Sequence, residues 1–387
     1  IMRRGGALLR SLLRGVTVPG GVTSTRPLSD YVYRMRMLDY YAQNDAAVIN
    51  EFPRSQLILM LDKRALVRED EYGNIRLLTL PFEELKRRLA EWGFVLNLSN
   101  SVFLDLQPSS RTTLEGVGEY EGLFGTSLQS VALPEGSPVS IDKIRSEMAA
   151  SFDGRFMDLR KAMLVMTSEE ERNRLAKLHT ISSWSSTYRR CPSCGGALRK
   201  RESKTAAECA PCKRIFYPTF SPVAITLIRD PTDEHALLVR HRGSVNGVYT
   251  CVAGFALTGE SLAQCAKREV AEEVGIEASS VNMLNASQPW PMPESSLMVG
   301  HEAVADMHQK IQVCPDELET ARWFSRAEVG EALQRTRDDP FLKNLPRSPE
   351  RRNDFVFIPP QGAIAHRLIR AWHERSPEPV IEGQRLC

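Results

Sequence analysis

Three glutamates, Glu269, Glu272 and Glu273, fall in a stretch whose apolar residues recur every four positions, and this pairing constrains the chain more than any other feature. Leu262, Ala266, Val270 and Val274 mark the buried side of a helix predicted over Ser261 to Val274, closed by Gly275. The glutamates stand at i, i+3 and i+4 and share the other side. Clustered like charges destabilise a helix unless something positive sits among them. Arg268, four residues before Glu272, offsets part of the repulsion. A hard divalent cation such as Mg²⁺ or Mn²⁺ offsets the rest, and because it keeps waters it also clamps a diphosphate. A solvated acidic face remains the plainer explanation of Glu-x-x-Glu-Glu taken alone.

Composition bounds the rest. With 387 residues, 42% of them apolar, the chain has material for two or three domains. Its 50 basic and 48 acidic side chains leave a net charge of +2, which excludes a histone-like nucleic-acid binder. Five Trp, 14 Phe and 9 Tyr exclude global disorder. The best apolar run, Leu57 to Leu61, is strand-sized, so no transmembrane helix or membrane insertion is expected. Between Met2 and Arg14 arginines and leucines take opposite sides of a candidate helix, and no acid precedes Asp30. That is the composition of a mitochondrial transit peptide, with a plain basic tail as the alternative.

From residue 30 to about 145 the pattern mixes short strands with one helix. Ser55–Leu61 and Gly73–Leu78 read as paired strands. Pro81 to Trp92 reads as a helix with Leu85, Leu89 and Trp92 inward. Residues 142–187 read as helical, with Met148, Phe152, Met157, Leu159, Met163 and Leu164 as core. Strands and turns follow from Val223, Arg335–Asp354 reads as a loop, and residues 360–374 read as a last helix.

Cys191, Cys194, Cys209 and Cys212 form two CxxC pairs with fourteen residues between them. Four thiolates at this spacing close a tetrahedral, structural Zn²⁺ site on two tight turns, for which Gly195 and Gly196 supply backbone freedom. A redox pair is the competing explanation, and the basic flanks make nucleic-acid binding a rival use of the module.

Gly254, five residues, Glu260, seven residues, then Arg268-Glu269-Val270-Ala271-Glu272-Glu273-Val274-Gly275-Ile276 resembles the Nudix hydrolases at every defined position. The resemblance implies an α/β fold, an α/β/α sandwich, and divalent-metal hydrolysis of a nucleoside diphosphate linked to another moiety. Downstream, Ser287-Gln288-Pro289-Trp290-Pro291-Met292-Pro293-Glu294-Ser295 is a proline-stiffened loop suited to stacking a flat ring, or simply a connector with Trp290 as core. Together with the cysteine pairs this is similar to the NADH pyrophosphatase subfamily. Two departures fall in the loop: Met292 stands where Phe is usual, and one extra residue precedes Leu297-Met298.

The chain is expected to divide into a mitochondrial transit peptide over 1–29, an N-terminal α+β domain over 30–187, a small zinc ribbon over 188–218, the Nudix domain over 219–375 and a disordered tail over 376–387. The resemblance assigns Mg²⁺ or Mn²⁺ to Glu269, Glu272 and Glu273 with Glu317 and the Ala253 carbonyl, Glu317 being the general-base candidate or a further ligand. It assigns the ligand to Gln288 through Ser295, Tyr217, Phe255 and Ala365, with Tyr217 equally readable as core. Arg268 is expected to orient the carboxylates and Glu260 to brace the loop. NADH or NADPH is the implied substrate and a homodimer the implied assembly. Removal of an NAD cap from RNA and a non-catalytic nucleotide sensor are the alternatives.

Overall fold

The computed structural model describes residues 29–109, 120–129, 141–293, 295–345 and 356–375. The expected leader (except Ser29), Glu294, the second half of the expected 335–354 loop and the expected tail lie outside the described residues.

The first part of the chain carries α1 (Asp30–Gln43), α2 (Asp45–Glu51), β1 (Gln56–Leu61), β2 (Arg64–Glu69), β3 (Ile75–Leu77), β4 (Thr79–Pro81) and α3 (Phe82–Glu91). It continues with β5 (Ser101–Pro108), β6 (Tyr120–Leu128), α4 (Ile141–Ser151), β7 (Arg155–Asp158), α5 (Leu159–Val165) and α6 (Glu169–Thr187). The strands make one sheet ordered β3-β2-β1-β6-β5, with β4 also on β1 and β7 also on β2. β1 is an unbroken apolar run because both its faces are covered. Leu57, Leu59 and Leu61 meet Phe52, Leu85, Leu89 and Met148, while Ile58 and Met60 meet Met163, Leu175 and Leu178.

Two expectations need correction here. The strands at 55–61 and 73–78 are not partners: β2 lies between them, joined to β1 by a two-residue turn in which Asp62 and Lys63 both adopt positive φ. The stretch 142–187 is not continuously helical, since β7 interrupts it and places Met157 on a strand against Ala65. Met148, Phe152, Met157, Leu159 and Met163 are buried as expected, and Leu164 is half-buried.

A three-stranded ribbon follows: β8 (Leu198–Lys200), β9 (Ala207–Cys209) and β10 (Ile215–Phe216). The last part holds β11 (Ser221–Arg229), β12 (His235–His241), β13 (Val252–Phe255), α7 (Leu262–Val274), β14 (Ala278–Trp290), β15 (Ser296–Ala305), β16 (Leu318–Ser325), α8 (Arg326–Asp338) and α9 (Ile364–Glu374). Its sheet runs β14-β15-β11-β12-β16, with β13 antiparallel to β11 and only β11–β15 parallel. Val270 and Val274 of α7 pack on Ile228, Leu237 and Val252 of one face. Val329 and Leu333 of α8 and Ile364, Leu368, Ile369 and Trp372 of α9 pack with Ile225, Leu227 and Leu238 on the other. The result is the expected α/β/α sandwich. α8 corrects the expected loop, because it carries the helix through Asp338 from a capping box at Ser325 and Glu328. Among the described residues, no helix is long and apolar enough to cross a membrane.

The corner where α8 begins and α9 ends is held by Asp233, whose carboxylate is 1% exposed. It accepts from Trp372 Nε1 at 2.9 Å, Arg326 Nη2 at 2.8 Å and Arg375 Nη2 at 2.8 Å. Asp233→Asn keeps the shape and the tolerance for positive φ but leaves the Arg326 guanidinium without its counter-charge and takes one of two from Arg375, which keeps Glu302 at 2.7 Å. Stability is expected to fall by about 3 kcal/mol, measured by urea unfolding.

Candidate active site

The site is assembled where α7 crosses β13. Capping at Ser261 and Gln264 fixes the start of α7, and Gly275 in the left-handed region closes it. The helix buries more than its apolar stripe. Glu269 and Glu273, one turn apart, face β13 and are 8% and 2% exposed, while the Glu272 side chain is 59% exposed. The expectation of three carboxylates on one open face is therefore corrected: two are buried against the sheet and the third stands at the rim. Leu262, expected inside, is half-buried.

Arg268 organises this group. Its Nε and Nη2 meet both oxygens of Glu260 at 2.6 and 3.0 Å. Its Nη1 lies 2.7 Å from both Glu269 Oε1 and Glu272 Oε2, and Nη2 donates to the Phe255 carbonyl at 2.9 Å. Glu260 also accepts the Leu257 amide at 2.9 Å, which ties the loop before α7 to the same guanidinium. Arg268 thus orients the carboxylates and Glu260 braces the loop.

Glu273 has no cation. Its carboxylate receives the Ala253 amide, and its Oε2 is buried with no partner. Burial, then the negative charges of Glu269 and Glu317, push its pKa up to about 8. Burial also raises Glu269, against the pull of Arg268. Glu317 precedes β16 on a loop pinned to the end of α7, the Gln312 amide donating to Val274 O at 2.9 Å and the Cys314 amide to Glu273 O at 2.8 Å. An orphaned buried oxygen on Glu273, whose pKa the charges of Glu269 and Glu317 raise further, is the environment a hard divalent cation fits. The carboxylates themselves stand farther apart than the cysteine sulfurs described below, Glu269 being held by Arg268 and Glu273 by the Ala253 amide.

Beside Ala253 opens a cavity of about 580 Å³, large enough for a nucleotide. Ala253, Gln288, Trp290 and Ala365 line it, as expected, with Met298 of β15. Gln288 is a brace: its Nε2 donates to Gly362 O and its Oε1 accepts the Ile364 amide, both at 2.7 Å. Both ends of the amide are taken by the backbone. Trp290 and Met292 pack against the core of the N-terminal sheet, and Ser295 Oγ meets Thr180 Oγ1 of α6 at 3.2 Å. Pro289, Pro291, Met292, Pro293 and Ser295 do not line the cavity; nor do Tyr217, 60% exposed, and Phe255, 46% exposed. The cavity wall leaves these expected ligand residues outside it. It adds Arg160 and Leu164 from the N-terminal part, and His241, Val245 and Leu342. Burial lowers the pKa of His241, with Glu317 opposing, so its ring stays neutral at neutral pH.

A comparison with protein families matches residues 219–345 to the NUDIX domain. NAD-capped RNA hydrolase ndx-9 of Caenorhabditis elegans is 53% identical over 350 residues, covering 90% of this chain and 91% of that protein. The chain belongs to the Nudix hydrolase family. The mitochondrial NAD(P)H pyrophosphatase NUDT13 of Homo sapiens is 34% identical, over 76% of this chain and 77% of that protein. NAD-capped RNA hydrolase NUDT12 of Homo sapiens is also 34% identical, over 55% of this chain and 44% of that protein. The carboxylate helix lies within the matched NUDIX domain, and Nudix hydrolases use divalent metals.

The ribbon that precedes the Nudix domain places the sulfurs of Cys191, Cys194, Cys209 and Cys212 within 4.8 Å of one another, the one such group of potential metal ligands among the described residues. Each pair sits on a knuckle: the Gly195 amide donates to Cys191 O and the Lys213 amide to Cys209 O, both at 2.9 Å. Positive φ is needed at Gly195 and Lys213, not at Gly196, which corrects the sequence expectation. Burial would raise the Cys191 thiol, but the amides of Ser193 and Cys194 bring it down. Against the pull of the Cys212 amide, burial and the neighbouring thiols hold the Cys209 thiol up, so the cluster shares protons until a soft metal displaces them.

Proposed function

We propose that this Nudix hydrolase cleaves the pyrophosphate bond of a nicotinamide dinucleotide, NADH or NADPH, to reduced nicotinamide mononucleotide and AMP or its 2′-phosphate. The observation that carries the reading is Glu273: a buried carboxylate with one oxygen unpartnered, accepting the amide of Ala253, which itself lines a nucleotide-sized cavity together with Trp290. Glu269 and Glu273, with Glu272, Glu317 and the Ala253 carbonyl, are the residues that would hold Mg²⁺ or Mn²⁺. When bound, these ions supply charge neutralisation of the diphosphate and polarisation of the attacking water. Arg268 keeps the carboxylates in place, and Trp290 offers its ring to a base or nicotinamide. Glu317 is the candidate for taking the water's proton, or a further ligand. The water oxygen ends on one phosphorus, and the bridging oxygen leaves with the other.

The ribbon in this reading is a closed, structural Zn²⁺ site, the chain divides at about residues 188 and 219, and the enzyme is a mitochondrial homodimer. Support for the address is the acid-free, Arg-rich leader together with a relative named as mitochondrial.

The test is product analysis with Mg²⁺ or Mn²⁺ on NADH, NADPH, NAD⁺, ADP-ribose and diadenosine compounds. The expected result is AMP and reduced nicotinamide mononucleotide from NADH; a dinucleotide left intact in both metals ends the proposal. The name of the 53% identical relative favours a second reading, removal of an NAD cap from RNA. It is distinguished by a steep salt dependence on capped RNA that free NADH does not share.

A further inference from the structure

A second cavity, of about 740 Å³, lies away from the carboxylate helix, between the N-terminal sheet, the C-terminal half of α6 and the ribbon. Six cations line it: Lys63, Arg189, Arg199, Lys200, Arg201 and Lys204. Glu202 is the one carboxylate among its lining residues. In a chain of net charge +2 this is a strong local excess.

Part of the excess has an ordinary structural use. Arg189 Nε donates to Ser186 O at 2.7 Å and so caps the end of α6. The Lys204 ammonium is held by the carbonyls of Leu98 and Ser101, and Arg201 reaches Ala42 O at 3.4 Å. Lys63, Arg199 and Lys200 remain. Among the described residues their side chains enter no ion pair and no hydrogen bond, although carboxylates elsewhere in the molecule are paired freely. The cations feel one another: Lys200 is lowered by burial and by Arg189, and His179, which also lines the cavity, by burial and by Lys63.

We propose that this cavity is a phosphate-chain site, binding several consecutive phosphate groups. Separate lysine and arginine heads on opposite walls suit an extended polyanion better than a single carboxylate. Serine hydroxyls of α6, at 182, 183 and 185, supply further donors, that of Ser186 already donating to Ser183 O at 2.8 Å. Among the described residues no Phe, Tyr or Trp lines the cavity, so it lacks a large ring on which a base stacks, and the ligand is recognised through its phosphates. Two sources share that chemistry, the backbone of a single-stranded RNA and a free polyphosphate. The inference does not depend on what the Nudix site hydrolyses.

The test compares the full chain with the double variant Lys63→Glu, Lys200→Glu, which reverses one charge on each wall. Fluorescein-labelled decauridylate is followed by anisotropy and inorganic tripolyphosphate by calorimetry, both without divalent ions. The variant is expected to bind the preferred probe at least tenfold more weakly. If that probe is RNA, the slope of log affinity against log salt falls by about 0.7 for each phosphate the variant no longer neutralises. Loss confined to decauridylate names the RNA backbone, loss confined to tripolyphosphate names the free polyphosphate, and loss of both leaves the site open to either. Unchanged affinity for both probes, or no binding of either to the parent chain, overturns the proposal. NADH turnover in Mg²⁺ and zinc content are expected to be unchanged. If the reversal costs the ribbon its zinc, Lys63→Gln, Lys200→Gln takes its place with the same criterion.

Discussion

Glu273→Gln is expected to lower kcat by about 10³ or more while the protein keeps its fold. Size and shape are conserved, and the amide can still sit under α7 beside the Ala253 amide. The fold tolerates the change because burial and the two neighbouring carboxylates already favour the neutral side chain at neutral pH in the absence of a cation, with a pKa of about 8. The unpartnered Oε2 is replaced by an NH₂ group or an amide oxygen, neither of which offers the anionic charge a hard cation requires. Thermal unfolding without metal is expected to match the parent, whereas the stabilisation the parent gains from Mn²⁺ is expected to vanish. Both readouts matter: lost activity with an unaltered Mn²⁺ response would place Glu273 outside the metal site, and retained turnover would remove the carboxylate helix from the chemistry. Glu272→Gln provides a graded comparison. At the rim and paired with Arg268 at 2.7 Å, its carboxylate is already compensated, so a smaller loss is expected.

What the sequence made legible were the features encoded within a few residues of one another. The carboxylate helix has its stripe, its cap at Ser261 and its stop at Gly275 in one stretch, and the four cysteines carry their own knuckles. The cavity wall is different in kind. Arg160 and Leu164 come from α5, His241 from the end of β12 and Leu342 from beyond α8, brought together only by the packing of the Nudix sheet against the N-terminal part. No local period announces such residues. The proline loop was legible only in part for a related reason: its stiffness was plain, but which face it presents depends on the N-terminal core that receives Trp290 and Met292. β2 escaped because the turn before it is built from Asp62 and Lys63 in positive φ rather than from the Asn-Gly pair that usually signals a hairpin.

Gly254→Ala tests how closely the sheet and the helix are fitted. Gly254 lies on β13 opposite Ala224 of β11, and a β-carbon added there falls inside the Glu269 carboxylate. The obstacle is the far end of a side chain, and the backbone at Gly254 is not in the left-handed region, so the strand itself has no reason to break. The carboxylate must swing aside, away from Arg268 Nη1 and from the position where it faces β13 beside Glu273. The expected outcome is a fall in kcat of about 10² or more with weakened Mn²⁺ binding, against a stability loss of only about 1–3 kcal/mol for local overpacking. Gly259→Ala gives the opposite signature. Its φ of 96° strains any other residue, yet nothing lies within 4 Å of the added carbon, so it costs stability, about 1 kcal/mol, and spares the metal site. Crossing the two signatures separates a glycine kept for ligand placement from one kept for backbone freedom. A Gly254→Ala enzyme that turns over within threefold of the parent would show that Glu269 does not need the position this structure gives it.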